Sequence, residues 1–221
     1  MTELLGSEYY DKDYFDNPKT KKSNYGRMSG GYTEEVYRPF KNHQAIKIMQ
    51  QLGYTARWKP DNVIIAGCAK GFMVRAFQLL GVKCEGFDIS EYAIEESKKY
   101  TENCKVGNVV DMPQYKDEEF EVSVAMELLE HIPSDEPEKY LSKALDELCR
   151  ITKLYIVIST PAGDDQDNHD KSKEEGGDPS HFSVYPPDWW KLQFAKRNFI
   201  EQTSFVSQDK EKNFFLVVKR T

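Results

Sequence analysis

Hydrophobic and polar positions change rhythm several times along the chain, and each change predicts a different element. Over residues 1–32, Tyr9, Tyr10, Tyr14, Phe15, Tyr25 and Tyr32 are spread among Lys, Asp and Gly with no helical or alternating period. Periodicity predicts no packed element there, yet the stretch is too aromatic for a solvated tail. From Thr33 to about Leu52, Val36, Phe40, Ile46 and Met49 fall near helical spacing, and Gly53 supplies a stop. A strand–helix alternation then starts with the apolar run Asn62–Ala66. Helices are expected over Phe72–Leu80, Glu91–Tyr100, about Glu136–Ile151 and Pro187–Arg197. Strands are expected over Val82–Asp88, Cys104–Val106, Glu121–Met126 and Leu154–Ser159, the last continuous and β-branched as a doubly buried strand should be. Ile200–Val206 and Phe214–Lys219 read as a closing hairpin. Between Pro161 and Ser180 runs AGDDQDNHDKSKEEGGDP, which has no core-forming residue and reads as a lid or a disordered excursion.

Strands alternating with helices of this length give parallel β-α-β units. The expected fold class is therefore α/β: a doubly wound, Rossmann-like, seven-stranded, mostly parallel sheet with a C-terminal antiparallel hairpin strand. Residues 1–55 should form an aromatic cover and helix, and residues 56–221 the sheet domain, the two making one unit.

Composition narrows the partners. The chain has 221 residues and a formal net charge of −7, which disfavours tight binding to a long phosphate backbone. Cys68, Cys84, Cys104 and Cys149 form no Cys-x-x-Cys pair, so a zinc knuckle has no support. Cysteines in or beside strands are usually small buried hydrophobes, which points to a reducing compartment. The start of the chain lacks a signal-peptide pattern, and no run is long and apolar enough to span a bilayer. A cytoplasmic protein with no membrane partner is expected; the oligomeric state does not follow from the sequence.

The chemistry begins at Val63–Gly71, VIIAGCAKG, a buried strand, a glycine turn and then a helix. In an open parallel sheet the crevice beyond the strand ends is the expected ligand site. Gly67 and Gly71 are spaced Gly-x-x-x-Gly, without the middle glycine of the dinucleotide fingerprint, which argues against NAD or FAD. Asp88 ends the second strand 17 positions beyond Gly71, where an acid can accept both hydroxyls of a ribose. Ser90 is the better helix cap, which leaves Asp88 for a ligand.

The runs VIIAGCAKG, GFDIS, VGNVVDMP, FEVSVAMELLEHIP and IVISTP, in that order over residues 60–161, resemble the class I S-adenosylmethionine-dependent methyltransferases. The resemblance implies S-adenosyl-L-methionine as cofactor, with Gly67, Cys68, Ala69 and Gly71 around its methionine part. Asp88 would hold the ribose, Ile89 would flank the adenine, Asn108 and Val109 would border its edge, and Met126 completes the set. Two positions depart from the family pattern: Ile65 stands where an acid is usual, and Ala69 where glycine is usual. The first weakens the expected organisation of the loop, and the second adds one methyl group.

Past the fourth strand stands Glu127-Leu128-Leu129-Glu130-His131, and later Asp178-Pro179-Ser180-His181 precedes a helix with Trp189 and Trp190. If the first turn starts a helix, Glu127, Glu130 and His131 converge, and His181 can join them. Two carboxylates and two imidazoles suit Mg²⁺, Mn²⁺ or Fe²⁺. The pattern is similar to the metal sites of small-RNA 2′-O-methyltransferases and ubiquinone-pathway O-methyltransferases, where the metal binds substrate hydroxyls. Without a metal, His131 or His181 suits a general base. His43 and His169 read as a helix-surface and a loop residue. The tyrosine-rich start could wall a substrate pocket or only pack the extension; it also looks like bacterial methyltransferases acting on sugars. The leading expectation is O-methylation of a small molecule or saccharide. RNA 2′-O-methylation and a degenerate, non-catalytic cofactor-binding partner are the alternatives.

Overall fold

The computed structural model describes residues 3–23, 30–53, 59–133, 140–163, 178–207 and 213–221. Helices α1 (Lys12–Asp16) and α2 (Glu34–Gln51) precede β1 (Asn62–Ala66), α3 (Phe72–Leu79), β2 (Lys83–Asp88), α4 (Glu91–Ser97) and β3 (Cys104–Val106). There follow β4 (Phe120–Met126), a 3-10 turn (Leu129–His131), α5 (Leu141–Ile151), β5 (Thr152–Pro161), α6 (Pro187–Ala195), β6 (Phe199–Val206) and β7 (Asn213–Arg220). The sheet has seven strands in the order β3-β2-β1-β4-β5-β7-β6. The first five are mutually parallel, while β7 runs antiparallel to both β5 and β6. The doubly wound sheet with its antiparallel closing hairpin is thus as the sequence predicts.

Alternation along β1 explains the two layers. Val63 and Ile65 point to one side, where they share an apolar cluster with Ala45, Ile48 and Met49 of α2 and Met73, Val74 and Phe77 of α3. Ile64 and Ala66 point to the other, against Leu145 and Leu148 of α5 and Trp190 and Phe194 of α6. Helix α2 of the N-terminal extension therefore shares a core with the sheet. Burying each such large side chain contributes roughly 1.5–3 kcal/mol, so both layers are needed to seat β1 centrally.

Several expectations need correcting. The α2 helix forms and stops at Gly53, whose φ of +79° is the left-handed geometry of a helix end. Its buried face, however, is Lys41, Ala45, Ile48 and Met49; Val36, Phe40 and Ile46 are 45%, 49% and 44% exposed. Helix α1 lies where periodicity predicted nothing, begun by the Asp11 carboxylate accepting from the Tyr14 N–H at 3.0 Å. Helix α5 is described from Leu141; residues 134–139, where its expected start falls, lie outside the described residues. So do Tyr25, His169 and all of 164–177.

Gly86 fixes how closely the glycine turn sits on β2. A Cβ there would lie 2.6 Å from Cys68 Cβ and 2.7 Å from Val74 Cγ2. Gly86→Ala should therefore destabilise the protein by about 1–3 kcal/mol through overpacking. Thermal unfolding would read this as a Tm several degrees lower, and an unchanged Tm would show that the turn has slack.

Candidate active site

Register brings four strand ends to one edge of the sheet. Ala66 pairs with Phe87 of β2 and with Ala125 of β4, while Asp88 pairs with Val106 of β3. The glycine turn, Asp88 and the segments after β3 and β4 are therefore neighbours at the crevice between β1 and β4, where strand order reverses. Gly67 (φ +68°) and Gly71 (φ +76°) adopt left-handed conformations that make the turn. Ala69 also has positive φ, +45°. Its departure from glycine is thus conformational as well as steric, costing about 1–2 kcal/mol. Ile65 is buried in the apolar α2–α3 side of the core.

Asp88 ties the turn to the end of β2. Its Oδ2 accepts from the Ala69 N–H at 2.8 Å and its Oδ1 from the Ser90 N–H at 2.9 Å. Burial pushes its carboxyl above the usual range, opposed by the N–H groups of Ser90, Ala69 and Ile89. A carboxylate has about four acceptor positions, so lone pairs remain beyond the two backbone bonds. Ile89 is half-buried beside it. Asn108 closes a turn, its Oδ1 accepting from the Val110 N–H at 3.1 Å, which leaves the amide NH₂ to donate. Val109 is buried in the cluster that holds Phe87 and Met112, and Met126 is buried at the end of β4.

The acid–imidazole cluster is smaller than the sequence suggested. Ligand atoms of Glu130, His131 and His181 lie within 4.8 Å of one another, and Glu127 is outside this group. The expected convergence assumed a helix, but Glu127 has φ +55° ahead of the 3-10 turn, and its charge reaches Glu130 without its joining the group. Its N–H donates to Ser159 O at 2.9 Å, and its carboxylate accepts from the Ser159 hydroxyl. Strained non-glycine residues such as Ala69 and Glu127 tend to cluster at functional sites, and these two stand at adjacent strand ends.

Glu130 is fully buried, and its carboxyl makes no hydrogen bond of ordinary geometry among the described residues, with the Thr160 hydroxyl a neighbouring donor. Burial pushes this carboxyl well up, helped by the charges of Glu127 and Asp178. His131 is pushed down by burial, against the charge of Asp178 and the Ser180 hydrogen bond. Its ring packs edge-on to that of His181, with centroids 4.8 Å apart.

Sequence reasoning missed Lys41. It is buried on α2, and burial brings its ammonium down to about 8 against the opposing charges of Glu127 and Glu130. The signal was its place one turn before Ala45, Ile48 and Met49 on a single helical stripe. His43, on the same helix, is exposed as expected.

The N-terminal segment is docked on the glycine turn and on the turn after β2. Asp16 accepts from Lys70 of the glycine turn and from the Tyr92 hydroxyl, and Lys12 reaches the same carboxylate at 3.1 Å. The Ser90 hydroxyl donates to Tyr10 O, and the Glu91 N–H donates to Ser7 Oγ at 3.2 Å. Tyr14, Phe15 and Tyr32 pack with Phe72 and Ala93. The Tyr10 ring lies edge-on to His131, centroids 6.1 Å apart. Burial pushes the Tyr10 hydroxyl up, with the charges of Asp178, Asp88 and Glu130 adding to the shift. Tyr10 thus lies near the His131 ring and feels the charge of Asp88. All four cysteines are free and buried, and no helix among the described residues is long and apolar enough to cross a membrane.

A family model described as a methyltransferase domain matches residues 37–200. Among solved structures, magnesium protoporphyrin IX methyltransferase from Synechocystis PCC 6803 with bound SAM is similar at a TM-score of 0.68 and 15% identity, with 100% of each chain covered. A SAM-dependent methyltransferase from Archaeoglobus fulgidus has a TM-score of 0.62 at 16% identity, covering 85% of this chain and 97% of its own. Geranyl diphosphate methyltransferase in complex with GPP and sinefungin has a TM-score of 0.62 at 16% identity, covering 81% of this chain and 77% of its own. A search of curated proteins found no match.

Proposed function

The chain belongs to the class I S-adenosylmethionine-dependent methyltransferases and is an enzyme, and from that premise we propose that it methylates a hydroxyl of a small molecule or saccharide. The observation that carries this is the acid–imidazole cluster after β4, one strand along from the glycine turn and two from Asp88. In this reading Gly67, Cys68, Ala69 and Gly71 cradle the methionine part of S-adenosylmethionine, and Asp88 accepts the ribose hydroxyls. Ile89, Asn108, Val109 and Met126 bound the nucleoside side. The cofactor supplies an electrophilic methyl group; the chain positions it and takes the proton released by the acceptor. His131 is the proposed base, with His181 beside it, while Tyr10 roofs the gap between the two halves. The net charge of −7 favours a small acceptor over RNA. Magnesium protoporphyrin IX and geranyl diphosphate, named for two neighbours, are also small molecules.

A second reading places a divalent cation, Mg²⁺ or Mn²⁺, between Glu130, His131 and His181. It is favoured by the buried Glu130 carboxyl, which makes no hydrogen bond of ordinary geometry and lies beside two imidazoles. Such an ion would lower the pKa of a bound hydroxyl and orient its oxygen. Both readings are tested by incubating the protein with methyl-labelled S-adenosylmethionine and a panel of sugars, catechols and RNA ends, with and without EDTA. Label is expected on a small hydroxylated acceptor, and label on RNA alone would overturn that expectation. Turnover lost with EDTA and restored by Mg²⁺ or Mn²⁺ would establish the metal reading; unchanged turnover after thorough chelation would remove it.

A further inference from the structure

Three buried residues from two separated segments form a chain of hydrogen bonds behind the site. His131 Nδ1 lies 2.8 Å from Ser180 Oγ and 3.2 Å from Ser180 O. Asp178 Oδ1 accepts from the Ser180 hydroxyl at 2.5 Å and from the Ser180 N–H at 2.9 Å. Asp178, Ser180 and His131 are all buried, and the segments are locked together where the Phe182 and Ser183 N–H groups donate to Glu130 O at 2.6 and 2.9 Å.

The hydrogen bonds of Ser180 to Asp178 and His131 favour one arrangement for a neutral imidazole, the Tyr9 hydroxyl beside Ser180 donating its hydrogen to Lys22 O at 2.8 Å. A backbone carbonyl can only accept, so the contact with Ser180 O requires a proton on Nδ1. An ionised Asp178 can also only accept, so the Ser180 hydroxyl gives its hydrogen to Asp178 and offers His131 a lone pair. Both bonds require the same tautomer. Nε2 then carries the ring's free lone pair, and it makes no hydrogen bond among the described residues.

We propose that Asp178 and Ser180 are positioning residues that hold His131 as the Nδ1–H tautomer, so that Nε2 takes the proton of the acceptor hydroxyl. This rests on the reading of His131 as the base. In the transfer the acceptor oxygen bonds to the methyl carbon, and the carbon–sulfur bond breaks with its electron pair going to sulfur. The hydroxyl proton passes to Nε2, and the imidazolium so formed is stabilised through Ser180 by the Asp178 carboxylate. The shape is that of an orienting acid behind a histidine, with a serine hydroxyl inserted between them. It accounts for a buried acid and a buried serine placed just before His181, which the cofactor crevice does not otherwise use.

The test is long-range ¹H–¹⁵N correlation on the full chain labelled with ¹⁵N-histidine, without substrate. Wild-type His131 should show a protonated Nδ1 and an unprotonated Nε2. In Ser180→Ala only the backbone carbonyl of residue 180 remains to hold that proton, so the Nε2–H form that free histidine prefers should gain population, and Ser180→Thr should restore the wild-type balance. An Nε2–H signature in the wild type, or tautomer populations identical in wild type and Ser180→Ala, overturns the proposal. The wild-type reading decides even if a variant fails to fold. Because the measurement needs no acceptor, its outcome is independent of whether a hydroxyl proves to be the methylated group.

Discussion

Asp88→Ala should weaken binding of S-adenosylmethionine by about 100-fold or more in calorimetry on the full chain. The expectation follows from what the carboxylate already does and what it has left. Backbone N–H groups of Ala69 and Ser90 fix both oxygens in place, so the remaining lone pairs are held in position before a ligand arrives. A hydrogen bond to a charged group contributes roughly 1.5–3 kcal/mol. Two ribose hydroxyls on one carboxylate therefore contribute about 3–6 kcal/mol, and each 1.4 kcal/mol is about tenfold in affinity. Removing the side chain also frees the glycine turn, since the Ala69 N–H loses its acceptor. Asp88→Asn keeps one carbonyl oxygen and should fall between wild type and alanine. An alanine variant that binds within about threefold of wild type would place the ribose elsewhere.

His131→Ala should lower turnover by about 100- to 10,000-fold, the usual contribution of a positioned acid–base group, and leave cofactor affinity unchanged. The split follows from position. His131 lies in the turn after β4, whereas the proposed polar grip on the cofactor, the glycine turn and Asp88, follows β1 and β2. Its Nδ1 side is occupied by Ser180, and the ring faces Tyr10 and His181. Steady-state kinetics with the acceptor identified by the labelling screen would show the loss in kcat. A loss confined to the KM for the cofactor would assign His131 to binding instead, and full activity in His181→Ala would remove that residue from both the base and the metal readings.

What could be read from the sequence follows from how locally each feature is encoded. The run Val63–Ala66 is apolar throughout because β1 is covered on both faces, and Gly67 and Gly71 are glycines because the turn needs positive φ. Those signals are local, and they set the cofactor side of the crevice. Helix α2 was legible as a helix, but its inward face depends on tertiary packing. Phe40 offers more apolar surface than Ala45 yet is the exposed one, and a lysine occupies the buried stripe. Helix α1 has only five residues, too few for a period, and its start rests on a single aspartate cap. Glu127 stands outside the Glu130–His131–His181 group because spacing predicts a helix where the backbone takes a left-handed step. Asp178 and Ser180 stand near His181 in sequence, but their partner is His131, 49 residues before Ser180, so no pattern of spacing pairs them.

The crevice between β1 and β4 as the cofactor site is tested most directly by a crystal structure of the protein with S-adenosylhomocysteine. Both ribose hydroxyls should lie within hydrogen-bond distance, about 2.5–3.0 Å, of the Asp88 carboxylate, with the homocysteine tail against Gly67–Gly71. A nucleoside bound away from Asp88, or that crevice left without ligand while another site is filled, would contradict the account.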